Sequence, residues 1–171
     1  MRQRLRDLFS FPNPVNDVAA RTVAAGVVLL AAAAIAFGQP WLLVPLAYGF
    51  WARVLTGPSL SPLGQLATRV VAPTIGIEPR PTPGPPKRFA QGIGTFLSTA
   101  AIIVWATAGW GVAVWLVALL AAAATLEAAL GLCLGCKIFA LLMRVGVIPA
   151  SVCEECADVT RRHPELARAR G

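Results

Sequence analysis

Leu126-Glu-Ala-Ala-Leu-Gly-Leu-Cys-Leu-Gly-Cys-Lys137 closes an apolar run that opens at Val112, and Val152-Cys-Glu-Glu-Cys156 answers it downstream. These two stretches hold all four cysteines of the chain, as two Cys-x-x-Cys pairs. Val112 to Leu130 is long and apolar enough to cross a bilayer, which takes about 20 such residues. The run therefore reads as a membrane span, with one dithiol at its mouth and a second beyond it.

Composition agrees. Of 171 residues, 57% are hydrophobic and 13% charged, and mean hydropathy is +0.68, well outside the range of a soluble domain. A net charge of +7 and a pI near 10.3 would suit nucleic acid. The basic residues instead flank apolar blocks, with no interleaved aromatic surface, so the positive-inside rule accounts for them and no nucleic-acid partner is expected.

Working outward, Gly109-Trp-Gly111 is an uncharged turn and residues 89–108 form the preceding span. Before it, prolines at 73, 79, 81, 83, 85 and 86 define a linker, 73–86, in which helix is excluded and extended polyproline geometry favoured, closed by Lys87-Arg88. Residues 61–72 start with Ser61-Pro62, an N-cap followed by a first-turn proline, and suit a helix lying on the membrane surface. Residues 41–55 and 18–37 are the two earlier spans, joined by the uncharged turn Gly38-Gln-Pro40. Asn16 or Asp17 caps the first of them. Ala34-Ile-Ala36 resembles a signal-peptide cleavage site, but the long, Pro-rich head favours an uncleaved span. On the other side, residues 138–148 are too short to cross again and read as a second interfacial helix.

The expected fold is all-α: an integral membrane four-helix bundle with short interfacial helices and a Pro-rich cytoplasmic loop. It comprises a basic head (1–17), a membrane domain (18–148) and a Cys-x-x-Cys tail (149–171). The turns at 38–40 and 109–111 are uncharged, while the head, the 56–88 segment and the tail carry nearly all the Arg and Lys. Both termini are thus expected in the cytoplasm. Trp41, Trp105, Trp110 and Trp115 fall at the opposite ends of the spans, as an interfacial aromatic belt would.

Two groups could carry chemistry. Glu127 and Arg53 fall at similar depth in the apolar part and are expected to form an intramembrane ion pair, or, in a transporter, a solute site. Cys133, Cys136, Cys153 and Cys156 have the Cys-x2-Cys-x16-Cys-x2-Cys spacing of a four-thiolate zinc site, a clamp in a scaffold or adaptor without catalysis. The same four residues could instead be two redox dithiols. Lys137 favours the thiolate of Cys136, whereas Glu154 and Glu155 disfavour thiolates at Cys153 and Cys156, so electrons would pass from the second pair to the first. His163, the sole histidine, stands in a polar tail and reads as solvated.

Phe11-Pro-Asn-Pro-Val-Asn16, Tyr48-Gly-Phe-Trp-Ala-Arg-Val-Leu-Thr-Gly-Pro58 with Ser61-Pro62, Pro83-Gly-Pro-Pro-Lys-Arg-Phe89, Gly131-Leu-Cys-Leu-Gly-Cys136 and Cys153-Glu-Glu-Cys156 together resemble an uncharacterised bacterial membrane protein family, domain of unknown function 4395. The resemblance runs from about Phe11 to Asp158. It implies a small multi-span protein of the bacterial cytoplasmic membrane, associated with thioredoxin-like proteins and sulfurtransferases. That favours thiol redox or sulfur relay with a soluble thioredoxin-like or rhodanese-like partner. It supplies no catalytic residues to carry over.

Overall fold

The computed structural model describes residues 11–76, 80–149 and 151–153. Six helical segments follow a two-residue strand β1 (Val15–Asn16). They are α1 (Asp17–Ala36), α2 (Leu43–Thr56), α3, α4 (Gly84–Ala108), α5 (Trp110–Leu130) and α6 (Leu134–Arg144). The 3-10 turn Pro40–Leu42 leads directly into α2. Segment α3 is composite: Pro62–Leu66, a π-turn Ala67–Val71, then Ala72–Thr74. Strand β2 (Pro81–Thr82) pairs antiparallel with β1, setting Val15 opposite Thr82 and Asn16 opposite Pro81.

Three helices, α1, α4 and α5, are long and apolar enough to cross a membrane. Helix α1 packs along α5, α5 along α4, and α4 along α2. The core between them is Val27, Ala31, Leu43, Leu46, Phe50, Ala101, Val117 and Leu120. Small residues let the backbones approach. A Cβ on Gly94 would collide with the edge of the Phe50 ring, so that ring packs directly on the α4 backbone. Outward, Leu29, Phe96, Ile103 and Trp115 are each more than half exposed, leaving the bundle apolar on the outside as well as within. A helix hydrophobic all round belongs in a core or in lipid.

The sequence expectation needs correction at the proline-rich segment. Helix α4 starts at Gly84 rather than at residue 89, and α3 continues through Pro73 to Thr74. Pro85 and Pro86 occupy the first turn of α4, where the absent N–H is one that no helix satisfies internally. Part of the presumed linker is instead β2, tied to the head. Asp17 N–H donates to Arg80 O (2.9 Å), Gly84 N–H to Asn13 Oδ1 (2.9 Å) and Thr82 Oγ1 to Val15 O (3.0 Å). Asn16 is the N-cap of α1, its side chain accepting from Val18 N–H at 3.0 Å. At the far end of the bundle, Trp41 and Trp105 meet edge to face with centroids 5.0 Å apart, which brings the two uncharged turns together.

Candidate functional site

At the end of the bundle opposite those turns, three helix termini converge on one lysine. Because α4 begins early, Lys87 lies in its first turns and points inward. Its Nζ donates to Glu127 Oε1 on α5 (2.8 Å) and to Asp17 Oδ1 at the start of α1 (3.2 Å). The Lys87 side chain is 7% exposed, so the pairings are shielded from water. Removing one member of such a set leaves a buried charge uncompensated, at a cost of ~3–5 kcal/mol. The expected partner of Glu127 was Arg53; the direct partner is Lys87, which the proline-rich context had assigned to a linker. Among the described residues, the ion pairs of this chain are these two.

Arg53 does approach the same space, since it lines with Glu127 a half-open cavity of about 250 Å³ whose wall also includes the exposed Leu119 and Ile138. It is 4% exposed, and its guanidinium lies 4.6 Å from the centroid of Phe50. Nε donates to Gln91 Oε1 at 2.9 Å and Nη1 to Ser61 Oγ at 3.2 Å. Ser61 is fully buried and also caps α3, accepting from Gly64 N–H at 3.2 Å. Nη2 is buried with no partner among the described residues. An unpaired buried donor costs ~1–3 kcal/mol, more when charged, and native structures rarely leave one without a reason. A third basic residue, Arg21 of α1, closes the end of α5 by donating to Ala128 O and Ala129 O, the latter at 2.9 Å.

The cysteines follow at once. Helix α5 ends at Gly131, whose φ of +67° is the left-handed conformation that glycine adopts without strain. Two residues later Cys133 is the N-cap of α6, its Sγ accepting from Cys136 N–H at 3.3 Å. Cys133 and Cys136 are joined by a disulfide across that first turn. Gly135, between them, presses on Ala90 of α4: an added Cβ would lie 2.5 Å from the Ala90 Cβ. Phe139, one turn on, meets Phe89 with centroids 5.6 Å apart. The disulfide is therefore seated against the bundle rather than carried on a free arm.

Two cavities share Cys133. One is the cavity of Arg53 and Glu127; the other, of about 500 Å³, opens beside Asp17, Lys87, Cys136, Lys137 and Met143. Cys133 is buried and Cys136 half-buried, so the second sulfur is the more accessible. Cys153 is buried in a 3-10 turn at 151–153 and is also disulfide-bonded. Cys156 and His163 lie outside the described residues, as does most of the segment 149–171.

Residues 15–144 match the family described as domain of unknown function (DUF4395). The chain belongs to this family. The matched span takes in β1, all six helices and the Cys133–Cys136 disulfide, whereas Cys153 falls beyond it. No curated protein and no solved structure gives a significant match to this member of the family.

Lys87, Asp17, Gln91 and Ser61 are the site residues that reading the sequence for chemistry did not pick out. The signal for Lys87 was present in Pro85-Pro86, which as a first-turn pair sets the lysine on a helix. Nothing in the local sequence marks Gln91 or Ser61 as partners of Arg53; those contacts depend on how α2, α3 and α4 pack.

Proposed function

We propose that this is a four-span membrane protein whose Cys133–Cys136 pair is a redox dithiol, exchanging electrons or sulfur with a soluble thioredoxin-like or rhodanese-like partner. The observation carrying this reading is the disulfide itself, formed across the first turn of α6 with Cys133 as N-cap. A thiolate there is stabilised by the Cys136 N–H and by the positive end of the helix, which makes Cys133 the better leaving group. Exchange then has a direction. A partner thiolate attacks the half-buried Cys136 sulfur, the S–S bond breaks, and Cys133 leaves as thiolate. The partner's second thiol resolves the mixed disulfide, so the partner leaves oxidised and the pair reduced.

The fourth span in this proposal is Pro40–Leu42 with α2, a three-residue 3-10 turn and fourteen-residue helix in line. Together they rise roughly 27 Å, close to the ~30 Å of a hydrocarbon core. The basic head and loops support an orientation with both termini and the disulfide on the cytoplasmic side of the bacterial inner membrane. Helix α6 exposes Leu134, Ile138 and Leu141 along one face, continued by Val145 just past its end, as an interfacial helix lying on lipid would.

The alternative is a four-thiolate zinc clamp, which needs all four cysteines reduced and convergent. Metal analysis and thiol counting on purified protein test between the readings. The redox reading expects no tightly held metal and a Cys133–Cys136 disulfide that opens and closes reversibly in a dithiothreitol buffer. Stoichiometric zinc, with thiols masked until chelation, would replace it by the scaffold. The second pair is assigned as electron donor to the first, and a Cys153–Cys156 potential above that of Cys133–Cys136 would reverse the assignment.

A further inference from the structure

The half-open cavity is walled by apolar side chains such as Val27, Leu97 and Leu120, yet Arg53, Glu127 and Cys133 also line it. Arg53 has one guanidinium donor, Nη2, buried with no partner among the described residues, while its other two contacts are made to Gln91 and Ser61. The complement of such a space is an apolar molecule carrying an oxygen acceptor. Glu127, on the same wall, disfavours an anionic head and leaves a neutral carbonyl as the better match. A volume of about 250 Å³ exceeds the ~150 Å³ that takes one benzene, so a substituted ring fits.

We propose that this cavity binds the ring of a lipid-soluble quinone, which accepts a hydrogen bond from Arg53 Nη2 and takes electrons from the Cys133–Cys136 dithiol. The inference rests on the redox reading above and names its oxidant. Cys133 lines both cavities and Cys136 the one beside Lys137, so the pair bridges a side open to a soluble dithiol and a side open to a membrane oxidant. The Cys133 thiolate adds to a ring carbon, a C–S bond forms, and ring electrons move onto the oxygen held by Arg53. The Cys136 thiolate then attacks the Cys133 sulfur. The S–S bond forms, the C–S bond breaks, and its electron pair stays on the ring. The two thiol protons end on the two ring oxygens, so dithiol plus quinone gives disulfide plus quinol.

The test uses full-length protein in detergent and a decyl-substituted benzoquinone as probe. Reduced wild type, without oxygen, is expected to yield one quinol for every two thiols lost. Equilibrium binding to the oxidised protein is expected to persist in Cys133→Ser/Cys136→Ser. It should weaken at least about tenfold in Arg53→Leu, the loss of one hydrogen bond from a charged donor. Ala124→Phe, which fills the cavity while keeping Arg53, should weaken it likewise and separates loss of the site from loss of a buried charge. Binding that behaves this way without thiol oxidation supports the site and overturns the electron transfer. A disulfide that cycles with dithiothreitol while the quinone binds no variant, or all equally, overturns the site and leaves the redox reading intact. Preferential binding of a long-chain fatty acid overturns the assigned ligand class.

Discussion

At the scale of single residues, Lys87 carries more than its place in the sequence suggests. It draws Asp17 and Glu127 together from two other helices, in a setting where a lone charge is expensive. Lys87→Met is expected to destabilise the protein by ~3–5 kcal/mol, read as a fall in thermal midpoint in detergent. Adding Glu127→Gln and Asp17→Asn should recover much of the loss, because the two carboxylates that Lys87 held are then no longer left unpaired. A triple variant as unstable as the single one would refute the pairing. Ser61 is the second such residue, holding both a helix cap and Arg53. Ser61→Ala should cost ~1–2 kcal/mol from the cap alone, with a further penalty from a second unpaired donor on Arg53. Ser61→Thr, which keeps the hydroxyl, should recover part of it.

At the scale of elements, the spans were legible because long apolar runs carry a strong signal. Residues 18–37 and 112–130 lie within two residues of the helices that form. What escaped was whatever depends on one or two residues. The β1–β2 ribbon has two residues on each side, too few for any periodicity to register. Proline density between 73 and 86 pointed away from helix, although prolines in first turns fit helices well. The cysteine pairs were visible as motifs, but the role of Cys133 as N-cap was not, because it follows from the break at Gly131. The seating of α6 gives the prediction for this scale. Gly135→Ala should force α6 away from Ala90, costing ~1–3 kcal/mol. Rates of disulfide reduction by dithiothreitol should rise as Cys133 becomes exposed; an unchanged rate would mean that the contact with Ala90 does not shield it.

At the scale of the whole molecule, charge is concentrated at one end and the paired tryptophans stand at the other. In intact cells, single cysteines introduced at Gln39 or Gly109 in a Cys-less background should react with an impermeant maleimide. Cys136 as the sole cysteine should react only after the membrane is opened. Labelling of Cys136 from outside would invert the topology and remove a cytoplasmic partner from the proposal. Sequence alone supplied this polarity through the uncharged turns at 38–40 and 109–111, whereas which helices are neighbours had to come from packing.

The short ribbon between residues 15–16 and 81–82 bears on how the molecule could be taken apart. It clasps the start of the first hairpin to the start of the second at the base of the bundle, while α1 and α5 grip each other along their length. After a backbone cut between Gly76 and Arg80, the clasp and the α1–α5 and α2–α4 packing would still join the two halves. Two fragments divided there and co-expressed should find one another and copurify, and disrupting the clasp with Thr82→Pro should loosen the reunited pair more than it harms the unbroken chain.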